Sequence, residues 1–106
     1  MREITDISRD TRIRVRARDS IEGTPCCIYC GSPRNIELAH FVSRARGGMG
    51  KESNLACLCE RCHKALDNGA DIRLRNDIKE VFEWWLKDNY PGWSEEDQIY
   101  KGKINE

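Results

Sequence analysis

The most regular pattern of hydrophobic and polar positions lies in the last third of the chain. From Asp71 to Asn89, apolar residues recur at steps of three and four, which is the period of an amphipathic helix. Pro91 and Gly92 follow and end the predicted helix. The stripe predicted to face the core consists of Ile78, Val81, Phe82, Trp85 and Leu86.

The first third of the chain has a less decisive pattern. Residues 11–18, TRIRVRAR, alternate between polar and apolar as a half-buried strand does. Ile13, Ala17 and Ile21 are also spaced like one face of a helix, behind the candidate N-caps Ser8 and Asp10. The period alone therefore leaves strand and helix open.

Two short apolar runs predict a pair of strands in the middle of the chain, IELAHFV at 36–42 and NLACL at 54–58. The segment between them, SRARGGMGKES, has three glycines and no period, which predicts a mobile loop. Residues 22–35 are rich in Gly, Pro, Ser and Cys and predict a turn. Residues 59–69 predict a helix that ends at Asn68 and Gly69.

Length and composition place the chain among small folded domains. Its 106 residues fit a single domain, 1–106, with a modest apolar core. With 39% hydrophobic and 34% charged residues, the chain is neither disordered nor apolar enough to cross a membrane. Residues 1–12 are charged and lack the apolar stretch of a secretory signal. We therefore expect the cysteines to meet a reducing cytoplasm, where disulfides are disfavoured.

The net charge of zero conceals an asymmetry along the chain. Residues 1–75 carry 14 Lys and Arg against 10 Asp and Glu, whereas residues 76–106 carry 4 against 8. Twelve of the 18 cations are Arg, whose planar guanidinium suits phosphate. A solvated charged face is the simpler interpretation of an arginine cluster. The chemistry of the residues beside it decides in favour of nucleic acid.

The cysteines give the strongest chemical signal. Cys27 and Cys30 form one C-x-x-C pair and Cys59 and Cys62 form another, a spacing that wraps one tetrahedral Zn²⁺. Four thiolates fill the coordination shell, so the predicted zinc is structural rather than catalytic. Because 28 residues separate the pairs, the metal is expected to clamp the two ends of an inserted hairpin.

Cys26 and Cys57 remain outside these pairs. Cys57 lies in an apolar run where a small buried thiol packs well, and Cys26 neighbours a predicted ligand. Pairing of Cys26 with Cys30 at the metal, or redox chemistry at a C-x-x-C, are weaker alternatives, because two matched pairs favour metal binding.

Together these motifs resemble the HNH endonuclease family, with its ββα-metal core and zinc-bound cysteine pairs. The resemblance covers roughly residues 10–69 and rests on CIYCG, LAHF, the SRARGG loop, NLACLC and CERCH. It implies an α+β fold with a helix at 10–19 before the core and the amphipathic helix within a C-terminal extension, residues 70–106. The extension is similar to small phage-encoded members.

The resemblance also implies roles for individual residues. His40 is expected to be the general base, Asn54 to hold the loop and orient the imidazole, and His63 to bind the catalytic metal with Asp67 one turn further on. The family usually has a ligand directly before the base, where this chain has Ala39. We expect water and phosphate, or a carboxylate such as Glu37, to replace it.

Both histidines have simpler alternatives. His63 follows Cys62 and could serve as an alternative zinc ligand, although two complete cysteine pairs already fill a zinc shell. His40 could be a buried strand residue beside Phe41. The downstream Asn and His favour the catalytic interpretation.

The activity implied is hydrolysis of DNA phosphodiester bonds with Mg²⁺ or Mn²⁺, leaving 5′-phosphate and 3′-hydroxyl ends with little sequence preference. The expected partners are DNA and a protein of a phage packaging or recombination machine, in the cytoplasm of a bacterial host. The alternative is a zinc-stabilised DNA-binding module or adaptor that no longer cleaves. The predicted DNA contacts are Arg44, Arg46 and Lys51, extended by Arg12, Arg16 and Arg18.

Overall fold

Three helices and two small antiparallel sheets form the protein in a computed structural model, which describes residues 4–101. The order is α1 (Arg9–Arg18), β1 (Ser20–Ile21), β2 (Thr24–Pro25), β3 (Ile36–His40), β4 (Leu55–Cys59), α2 (Glu60–Asn68) and α3 (Ile72–Asn89). Three short 3-10 helices cover Arg44–Arg46, Glu52–Asn54 and Glu96–Gln98. The predicted α+β class is confirmed.

The first helix resolves the ambiguity left by the sequence. α1 begins behind Ser8, whose hydroxyl accepts a hydrogen bond from the backbone of Thr11. Its buried residues are Thr11 and Val15, and Val15 packs against Leu38, Leu55 and Cys57. The predicted helix is correct, but the predicted face is wrong, because Ile13 is 55% exposed.

The central hairpin carries the predicted strands in their predicted order. β3 and β4 are antiparallel, with Leu38 opposite Cys57 and His40 opposite Leu55. Because this sheet has two strands within residues 4–101, one edge of β3 has no strand partner among the described residues. The connecting loop contains two of the 3-10 helices and an isolated bridge from Gly48 to Ile99. The loop therefore has more regular local structure than its composition predicts.

The last helix packs on the hairpin through its predicted stripe. Ile78, Phe82 and Leu86 are buried in one core cluster with Ala39 and Phe41, and Val81 and Trp85 are partly buried. Asp71 caps the start of α3 by accepting from Leu74. No helix within residues 4–101 is both long and apolar enough to span a membrane.

The end of α2 is the predicted one, but for a different reason. Gly69 caps the helix with φ near −67°, so it does not use the left-handed conformation that favours glycine at many helix ends. Steric crowding requires glycine at this position instead, because a Cβ at Gly69 would lie 2.4 Å from the carbonyl oxygen of Ala65.

Candidate active site

The two cysteine pairs meet at the base of the hairpin. Cys27 and Cys30 lie in the turn after β2, Cys59 ends β4, and Cys62 lies in the first turn of α2. Their four sulfur atoms all lie within 4.8 Å of one another, and Cys30 and Cys59 are 3.6 Å apart. Sulfurs around a tetrahedral Zn²⁺ are separated by about 3.8 Å, since each bond is about 2.3 Å. The predicted quartet is thus confirmed as a cluster that fits zinc.

The backbone around Cys27 favours its thiolate form, whereas burial raises the pKa of Cys30. Gly31 adopts a φ of +81°, which turns the chain after Cys30, and the Cys30 amide donates to the Cys27 sulfur at 3.4 Å. Burial raises the pKa of Cys27, but amide donors from Cys30, Cys59 and Tyr29 outweigh it and leave that pKa lowered. The knuckle is therefore prepared for a cation.

The two remaining cysteines are structural, as predicted. Cys26 is buried and its thiol donates to the carbonyl of Thr24 at 3.2 Å. Cys57 is completely buried, and that burial, together with the charge of Asp19, raises its pKa to about 12. Neither residue belongs to the quartet.

A groove of about 720 Å³ runs along the free edge of β3. It is lined by Glu37 and His40 from the strand and by His63 and Asp67 from α2. Strand alternation predicts that Glu37 and His40 face opposite ways. They share this groove because it follows the strand edge, where side chains from both faces of the sheet are accessible.

The imidazole of His40 is held by the main chain of the N-terminal segment. Its Nε2 lies 2.9 Å from the carbonyl oxygen of Thr5. A carbonyl only accepts, so Nε2 carries the proton and Nδ1 keeps the lone pair of a neutral imidazole. Burial lowers the pKa of His40 and the charge of Arg44 adds to this, against an opposing contribution from the Thr5 hydrogen bond. These contacts favour the neutral imidazole of His40.

The segment that supplies this carbonyl is fixed by the loop after β3. The Gly50 amide donates to the Ile4 carbonyl at 3.0 Å, and Arg44 forms an ion pair with Asp6. A Cβ at Gly50 would lie 2.1 Å from the carbonyl oxygen of Asp6, so only glycine allows this approach. The role of Thr5 was not predicted, because a main-chain carbonyl has no signature in the sequence.

Asn54 fixes the chain just beyond His40. It is completely buried, its Oδ1 accepts from the Val42 amide at 2.8 Å, and its Nδ2 donates to the carbonyls of Val42 and Met49. Its own carbonyl accepts from the Phe41 amide at 2.8 Å. These contacts tie the loop to the end of β3.

His63 lies between two carboxylates. Its Nδ1 is 2.7 Å from Glu37 and its Nε2 is 3.2 Å from Asp67. If Nδ1 donates to Glu37, the lone pair of Nε2 faces Asp67, and a cation between the two satisfies both. Neighbouring ligands of an octahedral Mg²⁺ are about 3.0 Å apart. The Nε2 and carboxylate of this pair therefore fit a divalent metal, and Glu37 orients the imidazole.

Ala39 contributes no ligand. It is completely buried opposite Ala56 and packs in the core cluster with Phe82. Within residues 4–101, the cysteine quartet is the group of three or more candidate ligands that lie mutually within 4.8 Å. His63 and Asp67 bring two candidate ligands together, and a metal held by them would have its other positions open to water and phosphate oxygens.

The predicted basic residues divide among three places. Arg12, Arg16 and Arg44 line the groove with His40. Arg46 lies in an adjoining groove, 3.5 Å from Glu95, and Lys51 lines a separate groove with Tyr100.

Arg18 does not lie on the predicted DNA surface. Its side chain is 13% exposed and donates to Asp19, to the carbonyls of Leu55 and Glu52, and to the hydroxyl of Tyr90. With its donors used inside the protein, Arg18 ties α1 to the hairpin and to the end of α3. It does not extend a DNA surface.

The comparisons with known proteins agree with this architecture. No curated protein matches the chain. The model of the HNH endonuclease family matches residues 27–69, which contain the zinc quartet, His40, Asn54 and His63. The similarity to the HNH endonuclease family therefore covers residues 27–69 of the 106-residue chain.

Proposed function

We propose that this protein is a metal-dependent DNA endonuclease with His40 as the general base. One observation carries the proposal: the neutral base and the His63–Asp67 pair open into the same groove, which is also lined by arginines. A base beside a metal site and cationic walls is the equipment that phosphodiester hydrolysis needs.

His40 supplies the proton acceptor. Thr5 holds the proton on Nε2, so Nδ1 takes the proton from a water molecule that attacks the phosphorus. A positioned general base contributes about 100-fold to 10,000-fold to the rate. In-line attack then leaves the phosphate on the 5′ end and a hydroxyl on the 3′ end.

His63 and Asp67 would hold the catalytic metal. Mg²⁺ or Mn²⁺ held there would supply positive charge against the negative charge that develops on the phosphate and the leaving oxygen. Glu37 accepts from Nδ1 of His63 and so keeps Nε2 directed at the metal position. Arg12, Arg16 and Arg44 neutralise neighbouring phosphates, which fixes the register of the DNA without reading its bases.

The zinc quartet serves this site indirectly. Cys62 directly precedes His63, and Cys59 ends the strand that pairs with β3. Zinc held by the quartet would therefore fix α2 against the hairpin and so maintain the distance between His63 and His40.

Plasmid cleavage tests the proposal. Supercoiled DNA is incubated with the zinc-loaded protein and Mg²⁺ or Mn²⁺, beside His40→Ala and beside Asn68→Ala as a control at the exposed end of α2. We expect nicking or linearisation that His40→Ala slows at least 100-fold and that the control retains. Equal cleavage by His40→Ala at equal zinc content would contradict the proposal.

The burial of Ala39 favours a second candidate, a zinc-stabilised DNA-binding module without cleavage. A site with two protein ligands in place binds a catalytic metal more weakly than one with a third. This candidate predicts that the protein retards plasmid equally with and without His40 and cuts it with neither metal.

A further inference from the structure

A second groove lies beside the active-site groove, and α3 forms one of its walls. It has a volume of about 360 Å³ and is lined on the α3 side by Arg75, Asn76 and Lys79. It shares His40, Ser43 and Asp67 with the active-site groove, so the two grooves meet at the proposed base. Helix α3 lies outside residues 27–69, the segment that matches the HNH family.

One cation of the second groove contacts an aromatic ring. The ammonium of Lys79 lies 5.4 Å from the ring centroid of Phe41, which directly follows His40. Arg75 is one helical turn before Lys79 and lines the same groove. Two cations of α3 therefore line the groove that adjoins the active-site groove at His40.

Two carboxylates of α3 have partners outside the second groove. Asp77 accepts from the hydroxyl of Tyr29 at 2.5 Å, and Glu83 pairs with Lys87 at 2.9 Å, so these carboxylates are used elsewhere. Arg75 and Lys79 are like charges at i and i+4, a spacing that destabilises a helix. An anion bound between them removes this repulsion.

The charge layout of the joined grooves fits an extended polyanion. The carboxylates Glu37 and Asp67 lie at the centre, where the metal site is proposed. Cations line both flanks, namely Arg12, Arg16 and Arg44 on one side and Arg46, Arg75 and Lys79 on the other. A single anionic group bound at the centre could not contact all the cations on either side.

We propose that Arg75 and Lys79, with Asn76 between them, form a second phosphate-binding arm for the DNA backbone. The strand being cut runs across His40 from the arginines beside α1 to the α3 arm, so phosphates on both sides of the scissile bond are held. The inference rests on the proposed nuclease function and assigns to the C-terminal helix a part of its substrate site.

The test is the salt dependence of DNA binding. A fluorescent duplex is titrated with zinc-loaded protein without added Mg²⁺ or Mn²⁺, and log Kd is measured against log salt. Arg75→Gln with Lys79→Gln is compared with Arg73→Gln with Lys87→Gln, which removes the same charge from the same helix outside the groove. Each lost phosphate contact lowers the slope by about 0.9.

We expect the groove variant to bind DNA about tenfold more weakly, with a salt slope reduced by the amount that corresponds to nearly two phosphate contacts. The control pair should keep the wild-type slope. In cleavage assays the groove variant raises KM and keeps kcat, because neither residue touches the reacting atoms. Equal effects in both variants, or none in the groove variant, would overturn the inference.

The failure of this arm is distinguishable from failure of the nuclease proposal. If the wild-type protein neither binds nor cuts DNA, the proposed function fails and the arm with it. If the wild type cuts DNA, and Arg12→Gln weakens binding while the α3 variant does not, the arm alone is wrong.

Discussion

The cysteine quartet and the His63 site are both built on α2, yet they differ in completeness. The quartet brings four sulfurs within 4.8 Å of one another, whereas His63 has one carboxylate on each side of its ring. A complete shell leaves no position for water and contributes stability. An incomplete shell leaves positions for substrate and contributes chemistry. One short helix thus connects the cysteine quartet to the proposed catalytic metal site.

Loss of zinc is expected to have the largest effect. Structural zinc contributes on the order of 10 kcal/mol to folding, which equals the whole stability of a small domain. Cys59→Ser should therefore abolish cooperative thermal unfolding, followed by circular dichroism with zinc content measured in parallel. Cys26→Ser, outside the quartet, should keep both. If Cys59→Ser lacks zinc but still unfolds cooperatively like the wild type, the quartet does not contribute the stability that distinguishes it from the His63 site.

Loss of the Glu37 carboxylate, which contacts His63, should weaken metal binding and leave the stability of the protein unchanged. Removing the partner that orients a metal-bound histidine typically costs about 10-fold to 100-fold in metal affinity. Glu37→Gln should raise the Mn²⁺ concentration needed for half-maximal cleavage by this factor and leave the unfolding temperature unchanged. Glu60→Gln, on the exposed start of α2, is the matched control. An unchanged Mn²⁺ requirement would show that Glu37 does not orient His63.

A substitution that displaces the N-terminal segment should have a smaller effect, confined mainly to the contact between Thr5 and His40. Gly50→Ala places a Cβ against the Asp6 carbonyl and should cost about 1–3 kcal/mol while moving the Thr5 carbonyl away from His40. Cleavage should fall, as measured at saturating metal. Thr5→Ala keeps the main-chain carbonyl and should cleave like the wild type. Loss of cleavage in Thr5→Ala alone would mean that the side chain, not the carbonyl, matters.

The pH dependence should show the smallest shift. Since burial lowers the pKa of His40, kcat/KM should rise with pH to a plateau with its midpoint below 6.5. Arg44 adds to this lowering, so Arg44→Gln should move the midpoint upward. The stability that comes from neutral His40 is present above pH 6.5 and is lost as pH falls through the lowered pKa. A midpoint above 6.5 in the wild type would contradict this assignment.

Much of the fold was predictable because its signals are local. The α3 stripe, the two central strands and the cysteine pairs depend on residues a few positions apart. The failures involve long-range packing. The sequence favours Ile13 as a core residue of α1, but Val15 is buried instead because it faces Leu38 and Leu55.

Arg18 shows the same limit at the predicted DNA surface. It follows several other arginines in the same segment, and its neighbours along the chain do not indicate that its side chain is buried. Its acceptors include the carbonyls of Glu52 and Leu55 and the hydroxyl of Tyr90, far away in sequence. Only the packed structure separates this structural arginine from Arg12 and Arg16, which line the groove.

The sequence by itself determined which side chains have metal-binding and proton-transferring chemistry, because residue type and short spacing carry that information. The tertiary structure alone decided how that chemistry is oriented. It placed the Thr5 carbonyl on His40, Glu37 on His63 and the α3 cations beside the base. These contacts join main-chain atoms or residues distant in the chain, and such contacts exist only once the core has packed.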